Sequence, residues 1–131
     1  MERAGRGTKR TRRRGSRAAT MDAIALLKSD HRQVEKWFAQ FRKARKDDRK
    51  DRLASQICQA LKVHTTIEED IFYPAFLEAT GDMDKHHEAE VEHASAKKLI
   101  AEIEDMSAGA DYFNAKVKVL SEMIKHHVKE E

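Results

Sequence analysis

An all-α fold, an antiparallel up-down-up-down four-helix bundle, is what this 131-residue chain predicts. Three observations point to it. Charged residues make up 37% and aromatics 6%, with five glycines and a single proline, a balance that suits long helices rather than turn-rich sheets. From residue 22 onward, apolar residues recur at helical spacing. Each of the four periodic stretches also carries a histidine on its apolar face: His31, His64, His93 and His127.

The first helix is expected over about 22–46, with Asp22 as its N-cap. Ile24, Leu27, Val34, Phe38 and Phe41 form its stripe, and His31 lies on it, so His31 should point inward. The charged run over 42–52 contains the first turn. A second helix should span about 48–78, with Leu53, Ile57, Leu61, Ile67, Ile71 and Phe72 on the face of His64. Pro74 should kink it or end its regular part, because proline removes one hydrogen bond and clashes with the preceding turn. Thr80-Gly81-Asp82 reads as the second turn. A third helix follows over about 83–106, with Ala96, Ile100 and Ile103 beneath His93. Ser107-Ala108-Gly109 then turns the chain into a fourth helix from about residue 111, carrying Phe113, Val117, Leu120 and Ile124 on the face of His127. Short turns between helices of similar length favour antiparallel neighbours.

The net charge of +3 conceals a division. Residues 1–20 hold eight of the 26 basic residues and one of the 23 acidic ones, leaving 18 basic and 22 acidic in 21–131, a net of −4. With no large apolar residue after Met1, 1–20 reads as a disordered basic tail before a folded domain over 21–131. It lacks the apolar stretch of a secretory signal. An Arg-rich arm attracts phosphate backbones weakly and without reading base sequence. The alternatives are a solvated tail, or an extension upstream of a natural start at Met21. No apolar run approaches the ~20 residues of a membrane span. Cys58 is the single cysteine, so an intrachain disulfide is excluded, and a reducing, cytoplasmic setting is the simplest expectation. Lying off the face of His64, Cys58 reads as a small core residue.

The chemistry lies in a pattern that occurs twice. Asp30-His31 is followed by His64-Thr-Thr-Ile-Glu68-Glu69, and Glu92-His93 by His127-Val-Lys-Glu130-Glu131. Residues four apart share a helix face, about 5–6 Å apart between Cβ atoms, so His64 with Glu68 and His127 with Glu131 can each close on one ion. A single histidine on an apolar face is more often a satisfied core residue than a ligand. Four imidazoles and two carboxylates in one interior, however, cost several kcal/mol unless something neutralises them. A pair of metal ions does so. Imidazole with carboxylate suits iron, manganese or zinc, and no thiolate favours copper(I).

These residues resemble the hemerythrin-like, HHE cation-binding domain family over residues 22–131. The likeness rests on Leu27-Lys-Ser-Asp-His31, on His64-Thr-Thr-Ile-Glu68-Glu69-Asp-Ile-Phe-Tyr-Pro74, on Glu92-His93 and on His127-Val-Lys-Glu130-Glu131. It implies a non-haem centre of two iron ions, bridged by carboxylates and an oxo or hydroxo group, with manganese or zinc as substitutes. The metal ligands it implies are His31, His64, Glu68, His93, His127 and Glu131. Members bind dioxygen or nitric oxide, sense oxygen or iron, or handle peroxide.

The chain departs from the oxygen-carrier pattern twice. Those proteins have His-x-x-x-His on the third helix, whereas the position four before His93 is Ala89. Glu90 can fill the gap as an i, i+3 partner of His93 or remain a solvated charge. The sequence also stops at Glu131, where a terminal carboxylate should fray and bind weakly. His86, His87 and His126 read as lying away from the site. Tyr73, beside Pro74 near the bundle mouth, reads as a half-buried packing residue, with a hydrogen bond to a bound oxygen species as the alternative. The function expected is binding or sensing of dioxygen, nitric oxide or iron. The alternative is a peroxide-handling enzyme of catalase or peroxidase type, with Tyr73 or Glu69 as the proton donor. A metal-free helical association module leaves the repeated His/Glu pattern without a cause.

Overall fold

The computed structural model describes residues 2–130, with side chains described outside 2–21, 23 and 130. Its elements are α1 (Glu2–Lys43), α2 (Asp47–Ile67), a π turn (Glu68–Phe72), α3 (Tyr73–Thr80), α4 (Met83–Glu104) and α5 (Phe113–Glu130). The segment 47–80 is continuously helical, so the chain makes an all-α four-helix bundle of four rods. No helix among the described residues is long and apolar enough to cross a membrane.

The first rod starts at Glu2 rather than near residue 22. Arg, Lys, Ala and Glu in 2–20 are good helix formers with no proline among them, and extending an existing helix is far easier than nucleating one. Helical backbone therefore continues upstream of the stripe that packs. From Leu27 the rod follows its expected face, burying Leu27, Val34, Phe38 and Phe41.

Helix α2 places Asp47 and Asp48 in its first turn, where carboxylates favour the positive end of the helix dipole. It buries Leu53, Ile57, Cys58 and Leu61. Beyond Ile67 the expected face fails. Ile67, Ile71 and Phe72 are only partly buried, whereas Glu68 and Tyr73 are enclosed. Pro74 supplies the cause: its ring crowds the carbonyl four residues back, and the wider π turn over Glu68–Phe72 relieves that crowding and resets the rod. The helix is re-aimed rather than ended.

Gly81 closes α3 at φ 65°, donating its N–H to the Leu77 carbonyl at 2.7 Å. Asp82 caps α4 by accepting from the Lys85 N–H at 3.1 Å. Before α5, Gly109 and Tyr112 both take positive φ, and Asp51 of α2 accepts from the Ala108 N–H at 2.6 Å, which pins the loop to the second rod.

Val34, Phe38 and Phe41, Leu53, Ile57 and Leu61, Ile100 and Ile103, and Phe113, Val117 and Leu120 form one apolar cluster. The Phe41 and Phe113 rings lie 6.0 Å apart within it. This cluster occupies one end of the interior. Beyond it the same faces present His31, His64, Glu68, His93 and His127.

Candidate metal centre

Glu68 is the hub. It opens the π turn, is 0% exposed, and is surrounded by imidazoles from three other positions. His64 Nε2, one turn earlier, lies 3.0 Å from its Oε1. His93 Nε2 approaches Oε1 at 3.3 Å, and His127 Nε2 approaches Oε2 at 2.9 Å. His31 Nε2 lies 3.0 Å from His64 Nε2 and completes the set from α1. Ligand atoms of His64, Glu68 and His127 all fall within 4.8 Å of one another.

The outward nitrogens explain why the inward ones can serve as ligands. His93 Nδ1 lies 3.3 Å from Glu69 Oε1, and His127 Nδ1 lies 3.3 Å from Glu92 Oε2. A carboxylate there accepts the Nδ1 proton, which leaves the Nε2 lone pair facing the cavity. Lys97 in turn pairs with Glu69 and, ahead of the His93 contact, holds its carboxyl below the usual range. A carboxylate so held does not suit the proton-donor role expected for Glu69; it orients His93 instead.

His31 and His64 have their Nε2 atoms face to face at 3.0 Å, so at most one proton fits between them. Burial and the neighbouring His64 together lower the pKa of His31 to about 4. It is therefore a neutral imidazole near pH 7, the form that binds metal. The donor set fits a transition-metal cation: imidazole nitrogens around one buried carboxylate, whose Oε1 faces His64 and His93 and whose Oε2 faces His127. These residues line a cavity of about 90 Å³, walled on its apolar side by Leu61, Ala96, Met123 and Ile124. At ~30 Å³ per water, it has room for small species only.

The structure thus brings five of the six expected ligands together: His31, His64, Glu68, His93 and His127. Glu131 lies outside the described residues. Glu90 does not join the site; it is exposed and pairs with His86 at 3.0 Å on the surface of α4. Cys58 is 1% exposed and belongs to the apolar cluster, where burial pushes its thiol up to about 11.

Two residues were misjudged from sequence. Tyr73 is not a packing residue at the mouth. Its hydroxyl donates to Glu68 Oε2 at 3.0 Å and lies 3.2 Å from His127 Nε2 and 3.3 Å from His93 Nε2. An α-helix would set positions five apart about 140° away from each other. The π turn, with its i→i+5 repeat, brings them to one face, and Pro74 was the signal available. Glu92 was read only as the residue preceding His93, yet its carboxylate serves His127 on the neighbouring rod.

Comparison with known proteins agrees with this geometry. The profile of the hemerythrin HHE cation binding domain matches residues 22–131. A protein of Nostoc sp. (strain PCC 7120 / SAG 25.82 / UTEX 2576), described as a DNA nickase, is 26% identical over 117 residues. That match covers 89% of this chain and 33% of the relative, so the chain spans about a third of that protein's length. No solved structure matches.

Proposed function

The chain belongs to the hemerythrin HHE cation-binding domain family, and on that premise we propose that it is a non-haem di-iron protein that binds or senses dioxygen or nitric oxide. The observation that carries the reading is the buried Glu68 carboxylate, which turns Oε1 toward His64 and His93 and Oε2 toward His127. His31 and His64 would hold one ion, His93 and His127 the other, and Glu68 would bridge them. Iron in such a pair supplies reversible redox change and affinity for small diatomic ligands; manganese or zinc would fit the same donors.

The protein's own residues do the rest. Glu69 and Glu92 keep the Nε2 lone pairs of His93 and His127 directed inward. Leu61, Ala96, Met123 and Ile124 limit the water beside the site. A cavity of about 90 Å³ suits a small ligand such as a diatomic molecule or peroxide. Peroxide turnover is the alternative reading; it asks for a proton donor, and of the two candidates Glu69 is held as a carboxylate by Lys97, which leaves the Tyr73 hydroxyl. The likeness to a protein described as a DNA nickase, together with the basic stretch in 1–20, supports nucleic acid as a further, weak partner.

The test is purification in air with iron quantified and the absorption spectrum recorded, followed by anaerobic reduction and exposure to nitric oxide. The reading requires two irons per chain, the bands of a bridged ferric pair, and a spectral change with nitric oxide. A protein that takes up no iron sinks it. Steady consumption of peroxide would move the assignment to the enzyme.

A further inference from the structure

Tyr73 has no place in the ligand set just described, yet its hydroxyl stands in the middle of it. Its neighbours are Glu68 Oε2 at 3.0 Å, His127 Nε2 at 3.2 Å and His93 Nε2 at 3.3 Å. His127 Nε2 and Glu68 Oε2 are themselves 2.9 Å apart. Donor atoms bound about 2.0–2.2 Å from one ion stand roughly 3 Å from each other when adjacent on it. The tyrosine oxygen has that spacing to three donors assigned to a single ion. On the other side, His31 and His64 form their own close pair.

The half of the site built by α4 and α5 is also short of donors. Helix α4 contributes His93, but Ala89, one turn earlier, has only a methyl group. Glu90 is turned outward to His86. The π turn delivers an oxygen from the other direction instead, and the Tyr73 ring is 9% exposed and held 5.2 Å from the His93 ring and 5.5 Å from Phe72.

We infer that Tyr73 is a direct ligand of the ion held by His93 and His127, binding through its phenolate oxygen and making the two metal positions chemically unequal. The inference rests on the di-iron reading above. On binding, the phenol O–H bond breaks and an oxygen–iron bond forms from the oxygen's lone pair, with no change in iron oxidation state. Tyr73 and His93 also wall an outer cleft with Glu69, His86, Glu90 and Lys97, and the released proton passes to water there.

The experiment compares the iron-loaded, air-oxidised full chain with its Tyr73→Phe variant, which keeps the ring and its packing. Iron content, visible absorption and resonance Raman spectra are measured on both. A tyrosinate-to-ferric charge-transfer band with phenolate ring modes is expected in the parent. It should vanish in Tyr73→Phe while iron content and melting temperature stay close to the parent. Iron-loaded parent without phenolate modes, or a band that survives the substitution, overturns the ligand role and leaves the di-iron reading standing. A parent that binds no iron overturns both.

Discussion

Glu68 and Tyr73, five residues apart in sequence, meet in a hydrogen bond of 3.0 Å at the centre of the bundle. A regular α-helix would have separated them. The π turn between them, placed by Pro74, is what makes one rod contribute His64, a carboxylate and a phenol to the same side-chain cluster.

Glu68 should be the most sensitive position. Glu68→Ala removes the carboxylate shared between both halves, and iron content should fall from two ions to one or none while far-UV circular dichroism stays helical. Glu90→Ala should leave iron content nearly unchanged, since Glu90 is exposed and pairs with His86 away from the site. Equal losses in the two variants, measured by iron quantification, would contradict the assignment of the bridge.

Glu69→Gln and Glu92→Gln address the outward nitrogens of His93 and His127. Each should weaken metal affinity about 10–100-fold, the usual effect of losing a carboxylate behind a ligating imidazole. Competition with a chelator under anaerobic conditions measures it. Unchanged affinity in both variants would mean that the carboxylates do not set the imidazole orientation.

Acid should destabilise the metal-free protein in a defined window. The pKa of His31 is lowered from 6.5 to about 4. Above pH 6.5 the imidazole is neutral folded or unfolded, so it contributes no pH dependence. Between 6.5 and about 4 the unfolded chain takes up a proton that the folded chain refuses, so stability falls as pH falls. Metal affinity should decline in the same direction, because ligation needs the neutral ring. Melting temperatures across this range should drop less steeply in His31→Gln; identical slopes would rule His31 out as the source.

Much of this was legible in the sequence. The stripes of Leu27 to Phe41 and Phe113 to Leu120 mark two rods directly, and the doubled His/Glu pattern marks the five side chains that converge. Periodicity assumes an unbroken 3.6-residue turn, so within the second rod it misplaced the residues after Glu68. It put Ile71 and Phe72 inside and left Tyr73 at the margin. Glu92 was hidden for another reason: its partner His127 is on a different rod, and a single sequence does not pair residues across rods. The start of α1 differs because the expected boundary follows the apolar stripe, whereas helical backbone continues upstream of it.

Deleting residues 1–20 should leave iron content and bundle stability unchanged, because the apolar stripe of α1 begins after them. It should reduce DNA binding, since the remaining chain carries a net of −4. That binding should be weak and should fall steeply with salt. Mobility-shift assays on both proteins at low and moderate salt test it. Salt-resistant binding by the shortened protein would place nucleic-acid recognition in the bundle itself.

Iron-edge anomalous diffraction from crystals of the iron-loaded protein tests the central claim most directly. The account predicts two anomalous peaks inside the cavity, one on the His31 and His64 side of Glu68 and one between His93 and His127. Absence of peaks there, or peaks confined to surface groups such as His86 and Glu90, would contradict it.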